Sequence, residues 1–291
     1  MPQYSNSEIP EHINVSRGSP IKDFIKLSLG LLAILAGLAY FLAVSANWLA
    51  PKIPYRWEKS WGTAVEGLFR EELGEEKENP QRAYLQSKVD LIAQLQNIPE
   101  SMAIEVHYIE SDLVNAFATL GGHIIVTSAL LDKVSHENGL FMVLAHEVAH
   151  IKYRHPIQAV GRGVLFSIAS SAIIGQQKSE SLSSLIWGAG TLTLMSFSRD
   201  QEEQADHEAL KTVYDHYGHT SGAFNFFEYL AEAEQGASEE GGKEAREIPV
   251  FLSTHPNTRE RLANLKNIVI ENRWQASLAE PVKVETLPSF D

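Results

Sequence analysis

His146, Glu147 and His150 sit in the string His-Glu-Val-Ala-His, two imidazoles and a carboxylate at the spacing a hydrolytic zinc centre uses. On an α-helix four residues advance the chain by about 6 Å and turn it by only about 40°, so both histidines project from one face and can grip one ion. Glu147 lies about 100° round from His146, too far to share the metal comfortably but near enough to reach a water beside it. That is the position of a general base. The same string also arises by chance on surface helices, so its surroundings have to carry the reading.

The surroundings are apolar. Leu140, Phe141, Val143, Leu144, Val148, Ala149 and Ile151 recur at helical spacing and predict a buried helix from 136 to about 154, with Ser135 available as a cap and Glu137 in the first turn. A catalytic zinc needs a third protein ligand, and Glu202 in Ser198-Arg199-Asp200-Gln201-Glu202-Glu203-Gln204-Ala205-Asp206 is the best donor in the chain. Asp206, four residues on, shares its face and can accept the outer N–H of a ligand histidine, fixing the tautomer. The crowding of Asp200, Glu202, Glu203, Asp206 and Glu208 reads equally well as an acidic, solvated helix face.

Several blocks in order then resemble the HtpX and CAAX-prenyl-endopeptidase family of membrane-associated zinc peptidases. They are Asn115-Ala116-Phe117-Ala118 followed by Gly121-Gly122-His123-Ile124-Ile125-Val126-Thr127; His146 to His150 with His155-Pro156 beyond; Ser198-Arg199 with Glu202, Ala205 and Asp206; and Ser253-Thr254-His255-Pro256 with Arg261. Together they cover roughly residues 100–268. Thr119-Leu120 departs from the proline that family members often carry before the glycines. The resemblance implies a zincin-like endopeptidase domain with one Zn2+ per chain and Glu202 as third ligand. The mechanism expected has zinc on His146, His150 and Glu202, with Glu147 as the base that also returns the proton to the leaving amine.

Gly121-Gly122 predicts a bend and 124–126 a β-strand, which as an edge strand beside the metal can hydrogen-bond an extended peptide by strand addition. Asn115 reads as a turn former. His255 is a candidate catalytic group that donates to the oxyanion, outside the metal ligands, although Pro256-Asn257-Thr258 also reads as the start of a helix over 258–268. His155 lies about 140° round from His150 and reads as capping or packing.

Residues 27–46 run without a charge, long enough to span a bilayer, with Lys22 and Lys26 before them, Trp48 after and Pro51 ending the helix. A retained anchor is expected, with a cleaved signal peptide as the rival. Basic residues flank both sides, so loop charge does not choose an orientation. A short head and long domain favour the catalytic part outside the cytoplasm, in a bacterium the periplasm. The absence of cysteine excludes disulfides and thiol-ligated metal. A net charge of −13 argues against a nucleic-acid partner and against adhesion to anionic headgroups.

The fold class expected is α+β and helix-rich: a polar segment over 1–23, a transmembrane anchor over 24–49, a metallopeptidase domain with a small sheet over 50–270 and a tail over 271–291. Within the domain, 57–72 and 81–97 are helical by spacing and 103–109 alternates as a strand. The apolar stretches 164–175 and 182–197 read as buried or interfacial helices, and 235–248 as a mobile loop or lid. The activity expected is endopeptidase action on unfolded or extended envelope proteins in quality control. The rival is a non-proteolytic chaperone or assembly factor on the same fold.

Overall fold

The computed structural model describes residues 19–49, 52–62, 79–161, 196–239 and 249–274. Helix α1 (Pro20–Leu49) is followed by α2 (55–62), α3 (Pro80–Leu95), strands β1 (Glu105–Ile109), β2 (Ala116–Thr119) and β3 (His123–Thr127), and helices α4 (Ser128–Lys133) and α5 (Glu137–Lys152). Then come α6 (155–161), α7 (Arg199–Tyr217), α8 (Asn225–Glu239), α9 (Phe251–Thr254) and α10 (Thr258–Glu271). The helix-rich α+β expectation holds, with one three-stranded sheet among the described residues.

Helix α5 is the centre of the domain. Every residue from Asn138 to Ile151 is buried, because α3, α7, α8 and β2 surround it. Its entry differs from the expectation. His136 rather than Ser135 is the N-cap, and no side chain bonds the first turn. Glu137 instead favours the positive helix start and is held by Tyr84, Tyr217 and Lys88. Helix α7 has stronger local signals. Ser198 and Gln201 form a reciprocal capping box, and Gly218 ends the helix in a left-handed turn at φ 73°.

The sheet order is β1-β3-β2, with β1 parallel and β2 antiparallel to β3. This corrects the strand expectation: 124–126 lie in the central strand, and the edge beside α5 is β2. Gly121 and Gly122 do bend the chain, at φ 82° and 86°. The bend is also crowded, since a Cβ on Gly62 would lie 2.4 Å from the Leu120 carbonyl oxygen. Helix α2 thus docks on the turn between β2 and β3. The stretch 235–248 is helical as far as Glu239 within α8, and 240–248 lie outside the described residues. So do 1–18, 63–78, 275–291 and, apart from Ser196 and Phe197, the two apolar stretches after α6.

Among the described residues no helix is long and apolar enough to cross a membrane, the side chains at 39 and 42–47 of α1 lying outside them.

A buried ion pair fastens α2 to the domain. Arg154, just past α5, donates its Nε to Glu58 at 2.7 Å and an Nη to the Ile53 carbonyl at 3.0 Å, and Glu58 is only 2% exposed. Replacing Arg154 with Ala strands that carboxylate, at an expected cost of about 3–5 kcal/mol. Removing the exposed pair Lys266–Glu228 is expected to cost under about 1 kcal/mol. Urea unfolding of the two variants side by side checks the difference.

Candidate active site

Helix α5 carries His146 and His150 on one face, with their Nε2 atoms 2.9 Å apart. Helix α7 crosses α5 and brings Glu202 to them, its Oε2 at 3.5 Å from His146 Nε2 and its Oε1 at 3.7 Å from His150 Nε2. Burial of Glu202 and Asp206, at 1% and 3% exposure, takes those two off the solvated face, on which Asp200 and Glu203 remain exposed. Zinc bonds of about 2.0–2.2 Å imply donor–donor edges of about 3.4 Å in a tetrahedron, so these three separations suit one ion. The charges suit it as well. Among the described residues Glu147, Glu202 and Asp206 are buried with one guanidinium, Arg261, so the three carboxyl groups favour further positive charge among them.

The outer faces of the donors are held. Asp206, one turn beyond Glu202, lies 2.9 Å from His146 Nδ1. His155 Nδ1 meets His150 Nδ1 at 2.9 Å and its other nitrogen meets Gln204, so the packing role expected for His155 is the orientation of His150. Arg261 on α10 donates twice to Asp206, at 2.8 and 2.7 Å, and contacts Glu202 Oε2 at 2.7 Å. Phe197 stacks on His150 and Phe251 on His255, at centroid distances of 3.8 and 4.3 Å, keeping the site dry.

Glu147 is fully buried. Its Oε2 accepts the Ala118 N–H of edge strand β2 at 2.7 Å, while Oε1 has no hydrogen-bond partner among the described residues. Facing Oε1 at 3.5 Å is His255 Nε2, which likewise has no hydrogen-bond partner among the described residues. The sequence reading kept His255 outside the metal ligands; the structure puts its Nδ1 3.0 Å from Glu202 Oε1 and 3.3 Å from His146 Nε2, so His146, His150, Glu202 and His255 form one buried donor group. Arg261 had no signal beyond its place in a family pattern, and the backbone of Ala118 had none.

Burial pushes the Glu147 carboxyl up, which suits a base working near neutrality. Burial also raises Glu202, but the charges of His255 and Arg261 outweigh it and hold that carboxyl well below the usual range. For His150, burial beside other imidazoles keeps the ring well below its ordinary value and neutral. His146 goes the other way: burial lowers it, yet hydrogen bonds to Asp206 and Glu202 bring it up to about 9. The carboxylates thus favour positive charge on His146, supplied by a proton or by a metal. Below about pH 9 zinc must displace that proton, so affinity should rise about tenfold per pH unit between pH 6.5 and 8.5. Competition against a chromophoric chelator, corrected for its own protonation, checks this; a flat profile contradicts it.

Residues 79–269 match the family model described as Peptidase family M48. The chain is 29% identical over 171 residues to the beta-barrel assembly-enhancing protease of Yersinia pestis, covering 55% of this chain and 33% of that protein. It is 30% identical over 168 residues to the mitochondrial metalloendopeptidase OMA1 of Schizosaccharomyces pombe, covering 56% and 45%. Against the beta-barrel assembly-enhancing protease of Escherichia coli K12 it is 27% identical over 193 residues, covering 62% and 36%. Each match takes in less than half of the relative's length.

Proposed function

The chain belongs to peptidase family M48, a family of zinc-dependent metallopeptidases, and on that premise we propose that it is a membrane-anchored endopeptidase cleaving extended or unfolded segments of envelope proteins. The observation that supports this best is the convergence of His146, His150 and Glu202 beside a carboxylate, Glu147, that is tied to β2, the edge strand among the described residues.

His146, His150 and Glu202 would hold the zinc, with Asp206 and His155 orienting the two rings and Arg261 fixing both carboxylates. When bound, zinc supplies Lewis acidity that brings the pKa of water toward neutral and polarises a peptide carbonyl. Glu147 takes the proton from the attacking water and hands it to the departing amine. The edge of β2 aligns the substrate by main-chain hydrogen bonds, which favour extended chains over particular side chains.

Every donor in the site is at most 1% exposed, so substrate enters only if something moves. Among the described residues α9 and His255 lie over the site: Phe251 N–H bonds the Val114 carbonyl at 3.4 Å, just upstream of β2, where a substrate strand would extend. In this reading His255 fills the fourth donor position and withdraws to open the site. Replacing His255 with Ala is expected to raise peptide cleavage several-fold. A fall of about 10²-fold or more would instead assign it to the oxyanion, as its sequence suggested.

The anchor at 24–49 is supported by the unbroken helix of α1 and by large apolar side chains such as Leu27, Ile34 and Phe41, which are 75%, 68% and 64% exposed. A 30-residue helix is about 45 Å long, more than a bilayer core requires. The placement proposed is a bacterial inner membrane with the peptidase domain in the periplasm. Casein cleavage by the detergent-solubilised chain, with and without chelator, tests the activity. Zinc-dependent cleavage supports a peptidase; zinc-loaded protein that never cleaves, even as His255→Ala, favours a chaperone or assembly factor.

A further inference from the structure

A second constellation of metal-binding side chains lies on the opposite face of the sheet from α5. Side chains alternate along a strand, so with Val106 and Ile124 pointing into the main core, Glu105, His107 and His123 occupy the other face. The parallel register pairs Glu105 with His123, which sets His107, two residues along β1, diagonally across from His123. Two donors two residues apart on one strand and a third on its neighbour converge on one point above the sheet.

The distances bear this out. His107 Nε2 and His123 Nδ1 are 2.9 Å apart, the same separation as the two imidazole nitrogens that α5 presents. One nitrogen of each ring and a Glu105 carboxylate oxygen all lie within 4.8 Å of one another. Both histidines are buried, at 7% exposure, whereas Glu105 is exposed, which leaves an entry route on one side. Arg82 bonds Glu105 Oε1 at 2.9 Å and the Val106 carbonyl at 3.0 Å, fixing where the carboxylate points.

We propose that Glu105, His107 and His123 form a second cation site, distinct from the peptidase centre and selective for borderline divalent metals of the Zn2+ type. Imidazole nitrogens with one carboxylate suit zinc and its neighbours, and a site with two nitrogens of three donors does not suit Ca2+ or Mg2+. An ion there ties β1 to β3 immediately after the Gly121-Gly122 turn, and so braces the sheet whose far edge is β2. The inference does not depend on the peptidase reading, since no residue is shared.

The test is metal stoichiometry of the full chain in detergent, saturated with Zn2+, passed through a desalting column and measured by plasma mass spectrometry. Two zinc per chain are expected in the wild type, one in His107→Gln, one in His150→Ala and none when both are changed. Casein cleavage by His107→Gln should match the wild type. Glu105→Gln, on the exposed side, should keep its circular dichroism and weaken the second zinc at least tenfold. One zinc in the saturated wild type, two in His107→Gln, or an unchanged second affinity in Glu105→Gln each overturns the proposal.

Discussion

Glu147→Gln is expected to abolish peptide hydrolysis while leaving one zinc at the peptidase centre. The substitution keeps the side chain's size, and its amide oxygen can still accept the Ala118 N–H that holds the native carboxylate at 2.7 Å. What disappears is the ability to take a proton at Oε1, the buried oxygen without a partner among the described residues. Burial raises the Glu147 carboxyl toward the working pH, where a general base is most effective, and such groups contribute about 10²–10⁴-fold to rate. Cleavage should fall by at least that factor, with zinc content and melting temperature unchanged. Activity within tenfold of wild type, in a preparation free of contaminating protease, would assign the base elsewhere.

The second large effect concerns Glu202→Gln, which should empty the site. Glu202 is 1% exposed and held in its ionised form by His255 and Arg261 despite burial, the state a metal ligand requires. Glutamine preserves the shape but removes the charge and leaves Arg261 with Asp206 as its remaining close acidic partner. Zinc at the centre should fall from one per chain to near none after dialysis, and cleavage with it. A rival explanation gives Glu202 only the task of neutralising Arg261. In that case the variant loses stability but keeps its zinc and activity, so the two readings separate in one preparation.

Helix α5 was legible because it supplied all of its own signal: periodic apolar residues around His146 and His150, and an i, i+4 spacing that needs no tertiary information. Glu202 and Asp206 were legible as a pair on one face for the same reason, although spacing alone could not tell a ligand from a solvated acid. The crossing of α7 over α5, which buries Glu202, takes it off the solvated face, and that needed the tertiary structure. Arg261 was illegible as the clamp on both carboxylates, because it lies 55 residues beyond Asp206 and nothing local to α10 marks it. The edge strand was misassigned for a topological reason. The apolar run 124–126 reads as a strand in any position, and the β1-β3-β2 order that makes it central comes from a parallel pairing set by the whole domain. Ser135 offered a cap one residue too early, since the chain turns at His136. His255 was legible as a group near the site but outside the metal ligands; its place in the donor group depends on how α9 packs over β2.

The most direct test is a crystal structure of the Glu147→Gln holoenzyme with anomalous data at the zinc edge. At the peptidase centre one strong peak is expected about 2.0–2.2 Å from His146 Nε2, His150 Nε2 and a Glu202 carboxylate oxygen. A peptidase-centre ion that leaves Glu202 beyond bonding distance, its coordination completed by another protein group in its place, would contradict the account.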